Sequence, residues 1–539
     1  MALATAQQLR LRRATVAWPA DAVWLVGVGI GLAILCGLPY LVSVMFGPPE
    51  LERLGTFWFV RDFSQYQAAM REGARQTGWL IHDHFTAEPH QPALMYPLYV
   101  AAGKFAARLG LDPLSVFAGI EWLGRAALFG ALYAFAATFL GDRRQRRLAV
   151  LLAAGTLGLI ALIVPLRLLV DTPLLPSAID VYLEMSSFGV FLSAPHLMFG
   201  LALTLLAAPL YLRARSGRPV WLIVLGLDIV LLSLIHPFNL PVLVSVLSAA
   251  AVLSRSWRAW LAAGVAAVAA APIAIYDVYL FQTDAFWSGT YGVQNRMPAA
   301  MPWALPIDLG VVLLAAPLAW SVVRTWSPER RWLIVVWIGL GLAWMYAPVP
   351  YQRRFAFGLQ PALAVLAAVG LVQLANRTLG RVARRVGTYA LIAGALSTSV
   401  LVYVSLIASA ARNTPAEVYL WTRAESAAAS WLGEHTTSTD VVLASTEFAN
   451  PLVGSIDGRV VHGHIVATLR SDEKQALVQR FYAADSDALE RSAVLAESHA
   501  SIVALGPHER ALGLTDLSGQ PDLELIYDQD GVRLFRVKA

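Results

Sequence analysis

Charged residues are scarce in this 539-residue chain: 14% are Asp, Glu, Lys or Arg, against 57% hydrophobic. A soluble globular domain carries about 25% charged residues, so a chain this poor in charge is excluded from that class. Cysteine is scarcer still. Cys36 stands alone within an apolar run, which excludes an intramolecular disulfide and a cysteine-built metal site. Phosphate-binding glycine signatures are missing too: the sequence has no G-x-G-x-x-G, no P-loop and no C-x-x-C.

What is present is Leu, Ala and Val in runs of about 17 to 25 residues, the length that crosses about 30 Å of hydrocarbon. Such runs fall near 22–46, 93–110, 115–140, 147–166, 189–212, 219–235, 238–253, 258–280, 306–323, 331–347, 356–376 and 386–409. Arg10, Arg12 and Arg13 precede the first run, which is too long for a signal-peptide core and reads as a span that stays.

Basic clusters decide which runs cross. They fall at Arg143/Arg144/Arg146/Arg147, Arg213/Arg215/Arg218, Arg255/Arg258, Arg324/Arg330/Arg331 and Arg377/Arg381/Arg384/Arg385. All of them lie on the cytoplasmic side, as positive-inside bias requires, only if 93–110 does not cross. That run carries Lys104 and Arg108 and is broken by Pro97 and Gly103. It reads as an amphipathic helix on the outer membrane surface. About eleven transmembrane helices follow, in a plasma-membrane protein with a cytoplasmic N-terminus. The basic clusters are topology anchors, and no nucleic-acid signature is present.

From 413 onward the chain holds 18 Asp and Glu against 10 Lys and Arg, leaving 18 acidic and 31 basic residues before it. This charge reversal, with a fall in apolar content, divides a membrane body at 1–412 from a soluble extracytoplasmic domain at 413–539. In the tail a helix is expected at 415–433, strands at 440–445, 501–506, 523–528 and 532–537, and helices at 472–484 and 487–499. That pattern is a small α/β domain.

Polar residues gather on the outer face. The first outer loop, 47–92, extended to 114 by the surface helix, is the longest in the body, and long ordered loops are usually functional. Its Trp58, Phe59, Tyr66, Trp79 and Phe85 argue for order, and it carries Arg61, Asp62, His82, Asp83, His84, Glu88 and His90. His196 and His236 map to outer span ends, and Asn295 and Arg296 to another outer loop. In VPYQRRFAFG, Arg353 and Arg354 also map outside, against the charge bias. Two readings stand for the pair: snorkelling anchors at a helix end, or a clamp for phosphate oxygens, which paired guanidiniums suit. His82, Asp83 and His84 are read as an acceptor or sugar pocket, as an ordered loop, or as weak candidates for a divalent-metal site. In the tail, His462 and His464 of VVHGHIVAT share a strand face on the same logic.

This layout resembles glycosyltransferase superfamily C (GT-C), the polyprenyl-phosphate-sugar-dependent membrane enzymes that include the protein O-mannosyltransferases and the lipid A sugar transferases. The resemblance covers roughly 1–410 and rests on a single span, a long outer loop with Asp62, and a surface helix containing HQPALMYPLY. It implies transfer of a sugar from a polyprenyl-phosphate donor to an extracytoplasmic glycan, lipid or protein acceptor. It further implies Asp62 as the base, with no cofactor that the sequence requires. Arg353 and Arg354 would then bind the donor phosphate, and Arg61, His82, Asp83, His84, Glu88, His196, His236, Asn295 and Arg296 are acceptor- or sugar-binding candidates. Relatives resembling the protein mannosyltransferases often carry two adjacent acids where this chain has Arg61-Asp62. Rival readings are a non-enzymatic membrane scaffold and a transporter or lipid flippase, and the lack of an internal repeat argues against the last.

Overall fold

The computed structural model of the chain describes residues 18–47, 51–53, 55–56, 60–161, 185–377, 381–412 and 420–538. Arg10, Arg12 and Arg13, Trp58 and Phe59, the end of the 147–166 run and the start of the 415–433 helix lie outside the described residues. The chain forms two compact units: 1–39, 120–277 and 296–408 make one, and 40–119, 278–295 and 409–539 the other.

The first unit is helical. Seven described helices of the chain have the length and apolarity of a membrane crossing, or eight if a pair bent by 102° at residue 309 is one span. This is an integral membrane protein. The eleven crossings expected from the sequence require the bent pair and also the shorter helices Arg143–Gly155, Pro219–Ile235 and Pro328–Trp344 to cross. The bend between Pro302–Asp308 and Gly310–Val323 has a local cause. Gly310 takes φ +55° and lies against the backbone of Gly158, a conformation and an approach that a side chain would disfavour.

Helix Leu359–Arg377 is packed on nearly all sides, through Ala362, Ala364, Ala367 and Ala368, each fully buried. Small residues allow helices to approach closely where water provides no driving force. Two buried polar groups in this unit are well paired, as an apolar surrounding favours. Gln360 Oε1 accepts from Ser187 Oγ (3.0 Å), while its Nε2 donates to the carbonyl of Ala153 (3.0 Å) and to Thr156 Oγ1 (3.0 Å). Asp21, fully buried, accepts from Tyr133 Oη (2.6 Å) and pairs with Arg146 (3.2 Å), Arg147 (2.7 Å) and Arg143. Part of the basic cluster at 142–147 is therefore held by one carboxylate.

The second unit is α/β. Its main sheet has the order β4-β3-β5-β7-β6, built from β3 (Val441–Leu443), β4 (Arg459–Val460), β5 (Ile502–Leu505), β6 (Leu523–Gln529) and β7 (Val532–Val537). β3 runs parallel to β4 and β5, whereas β7 is antiparallel to β5 and forms a hairpin with β6. The four strands expected in the tail are found, as are its last two helices, at Ser471–Tyr482 and Ala488–Ser498; the helix expected over 415–433 starts only at Arg423, because Leu420–Thr422 pair as a strand. β4, only two residues long, ends at Val460, where the strand expected for VVHGHIVAT would begin.

Two further strands pair antiparallel, β1 (Leu51–Arg53) with β2 (Leu420–Thr422), joining the first loop to the tail. That loop also contains a helix, α1 (Val60–Arg75), followed by α2 (Pro97–Leu109). At about 1.5 Å per residue, the 13 residues of α2 reach about 20 Å, too short to cross a bilayer. It leaves Phe105 and Leu109 exposed beside Lys104 and Arg108, the amphipathic pattern expected of it. α1 and α2 meet at Gly73 and Gly103, where a Cβ would collide with the Val100 and Met70 backbones respectively.

Candidate functional site

Asp62 sits in the first turn of α1, where a carboxylate is favoured by the helix dipole, with about a third of its side chain exposed. The helix is pinned on the tail. Ser64 Oγ donates to Asn450 Oδ1 (2.9 Å), and Asn450 Nδ2 donates to the carbonyls of Gly463 (2.9 Å) and Arg61 (3.3 Å). Arg71 pairs with Asp457 at 3.1 Å and donates to the Gly433 carbonyl.

Asp62 is met by His464, whose Nε2 lies 3.2 Å from its Oδ1. His464 is 3% exposed, and its Nδ1 receives the backbone N–H groups of Val466 (3.2 Å) and Ala467 (3.1 Å). Gln65 Nε2 lies 3.3 Å from the same Nε2, and Tyr96 Oη donates to Gln65 Oε1 at 2.6 Å. His462 and His464 do not share a face. β4 ends at Val460, and His462 turns to Thr446 Oγ1 (2.7 Å) and Ser471 Oγ (2.9 Å), in a core where burial pushes its pKa down to about 4.

The segment 81–96 lies along the tail. Val460 N donates to the His84 carbonyl (3.0 Å), and Thr468 Oγ1 donates to that of Phe85 (2.7 Å). His82 Nδ1 meets Glu72 (3.0 Å), Asp83 Oδ1 accepts from Phe85 N (2.8 Å), and His84 Nδ1 meets the Gly458 carbonyl (2.7 Å) with its Nε2 3.9 Å from Glu72. Among the described residues no three His, Cys, Asp or Glu are placed to hold an ion. Burial raises Asp83 to about 7 and lowers His84. Burial opposes ionisation of Glu88, but Lys474 and the Thr86 hydroxyl hold it below the usual carboxylate range, and Arg470 lies 3.2 Å from it.

His90 stacks on Phe286 at 3.7 Å and accepts the Asp83 N–H at Nε2 (2.8 Å). Its Nδ1 reaches the Glu88 carbonyl (3.0 Å), so the ring is neutral, in line with burial pushing it down to about 4. Asp284 caps the short helix Ala285–Gly289, and Trp287 Nε1 donates to the Gln91 carbonyl (3.0 Å). Asn295 Nδ2 donates to the Tyr291 carbonyl at 2.8 Å. Together these segments wall a cleft lined by Gln65, Asp83, His84, Tyr96, Trp287, Tyr291 and Gln294.

A second group lies in the helical unit. Arg353 and Arg354 occupy the 3-10 turn Gln352–Ala356, with the Arg353 N–H donating to the Met297 carbonyl at 3.1 Å. The Arg354 guanidinium lies 5.7 Å from the Phe238 ring centre, and His236 lies 5.9 Å from the same ring. His236 stacks on Phe357 (4.5 Å) with His196 beyond it (6.5 Å). Sequence positions 196, 236 and 354 are thus gathered, while Arg296 is exposed nearby in the chain. His464, flagged in the sequence only as half of an H-x-H pair, is the residue whose partnership with Asp62 could not be read there.

Solved structures share this architecture. The apo Archaeoglobus fulgidus oligosaccharyltransferase matches with a TM-score of 0.54 at 12% identity, over 96% of this chain and 74% of that one. The mycobacterial arabinofuranosyltransferase AftD matches with a TM-score of 0.55 at 14% identity, over 94% of this chain and 40% of that one. The archaeal enzyme AglB, solved with an inhibitory peptide and a dolichol-phosphate, matches at 0.51 and 13%, over 89% and 69%. The chain shares the fold of these solved transferases, as its layout leads one to expect. No protein-family model and no curated protein sequence matches it.

Proposed function

We propose that this protein is a membrane glycosyltransferase that moves a sugar from a polyprenyl-phosphate donor to an extracytoplasmic acceptor. The GT-C fold carries the proposal, because similarly folded proteins include a glycosyltransferase solved with a dolichol-phosphate. Asp62 is the base in this reading. It stands in the first turn of a helix, is partly open to water, and among the described residues meets a hydrogen-bond donor at Oδ1. An acceptor hydroxyl gives its proton to the carboxylate as its oxygen attacks the anomeric carbon. The bond from that carbon to the phosphate breaks, and the electron pair leaves with the lipid phosphate. Arg353 and Arg354 stabilise the charge that develops there. The cleft beside Tyr96, Trp287 and Tyr291 faces the acceptor, and the N-terminus lies in the cytoplasm with the second unit outside.

Turnover of polyprenyl-phosphate-sugars by the purified protein in nanodiscs tests the reading. Asp62→Ala should stop the release of polyprenyl phosphate while leaving the protein assembled and its Tm near wild type. Wild-type release by that variant would sink the assignment of the base, and no release by the wild type from any donor would favour a scaffold.

A further inference from the structure

We infer that His464 is a positioning residue for Asp62, so that the C-terminal tail completes the reacting site; this rests on the reading of Asp62 as the base. A nitrogen that accepts two N–H donors cannot carry a proton, and Nδ1 of His464 receives those of Val466 and Ala467. A neutral imidazole then keeps its proton on Nε2. This tautomer requires the Gln65 amide, whose ends are alike in shape, to turn its Oε1 to the imidazole as a second acceptor beside Asp62, with Tyr96 Oη then accepting from the Gln65 amide nitrogen. Nε2–H therefore points at Asp62 Oδ1, 3.2 Å away.

The ring has little freedom to turn. It is 3% exposed, it meets Phe85 edge-on at 5.6 Å, and its own backbone N–H is held by Thr468 Oγ1 at 3.0 Å. The same threonine hydroxyl donates to the Phe85 carbonyl, which ties the His464 turn to segment 81–96. The donor is thus preorganised at a point set by both tail and loop, the condition under which one hydrogen bond orients a reacting group.

Two consequences follow for the chemistry. With Oδ1 occupied by a donor, Oδ2 is the atom that takes the acceptor's proton. His464 takes no proton itself, since its other nitrogen is sealed by two amides. Removing the imidazole should leave donor binding intact and slow the chemical step, because the carboxylate then samples orientations in which neither oxygen faces the acceptor.

His464→Leu and His464→Gln test this, since both fill the buried space and only glutamine restores an N–H. Each is assayed in the full-length protein for Tm, kcat and the KM for a polyprenyl-phosphate-sugar. We expect the leucine variant to lose about 10- to 100-fold in kcat at unchanged donor KM, and glutamine to recover to within about threefold of wild type. Equal activities of the two overturn the inference, whether both are near wild type, both slow or both unfolded. Asp62→Ala, run alongside, separates the premise: full activity there removes the base itself, whereas its loss with an unaffected leucine variant removes only the role of His464.

Discussion

Ser64 donates its hydroxyl to Asn450 at 2.9 Å, a buried bond between residues 386 apart in the sequence. Asn450 also holds the Gly463 and Arg61 carbonyls, so one amide fixes the helix that bears Asp62 to the turn that bears His464. Asn450→Ala leaves these groups buried without partners. It should destabilise the second unit by about 1–3 kcal/mol, seen as a lower Tm and earlier proteolysis of the tail.

The contact of α1 with α2 makes a second expectation. Gly103 lies directly on the Met70 backbone, with no room for a methyl group. Gly103→Ala should cost about 1–3 kcal/mol by overpacking, whereas Gly110→Ala, in open space but at φ +63°, costs through backbone strain alone. Thermal unfolding of the two variants separates the mechanisms: only the first should also disturb the Asp62 environment and slow turnover.

Asp83 sets a pH dependence. Burial raises its pKa from the ordinary 3.8 to about 7, with the Phe85 N–H and Lys474 opposing the rise. The protonated form is therefore favoured in the folded state. Its contribution to stability is complete below the unfolded value and is lost as pH rises through about 7. Tm measured between pH 5 and pH 8 should fall more in the wild type than in Asp83→Asn, which stays neutral throughout and keeps an acceptor for the Phe85 N–H.

Arg353 and Arg354 should matter for the donor and not for folding. A charge-assisted hydrogen bond to phosphate contributes about 1.5–3 kcal/mol, so each alanine variant is expected to lower kcat/KM for the lipid donor by about 10- to 100-fold. Lysine at either place should recover part of this through charge, but not the paired geometry of a guanidinium. Steady-state kinetics with purified polyprenyl-phosphate-sugar checks both.

Much of the fold was legible because the bilayer and the strand period leave plain marks. The apolar runs gave most helices, and strands such as LELIYD and VRLFRV stood out by composition. α1 falls in the stretch expected as loop, although Phe63, Tyr66, Met70 and Gly73 are spaced as one buried face of a helix. Its charged residues, Arg61, Asp62, Arg71, Glu72 and Arg75, masked that period. The pairing of Leu51–Arg53 with Leu420–Thr422 was illegible, since two three-residue strands far apart in sequence carry no local signal. At the site, Asp62 was found by the layout. His464 was not, because nothing local to VVHGHIVAT says which histidine turns toward a partner 402 residues away. Glu88, an acceptor- or sugar-binding candidate, is engaged by Lys474 and Arg470, a pairing only the folded chain reveals.

The most direct measurement is a cryo-EM map of the protein in lipid nanodiscs supplied with a polyprenyl phosphate, inspected at Arg353 and Arg354. Phosphate density is expected within hydrogen-bonding distance of both guanidiniums, lost in the Arg353→Ala/Arg354→Ala double variant. A site closed over by apolar side chains, with the lipid phosphate bound elsewhere or not at all, would contradict this expectation.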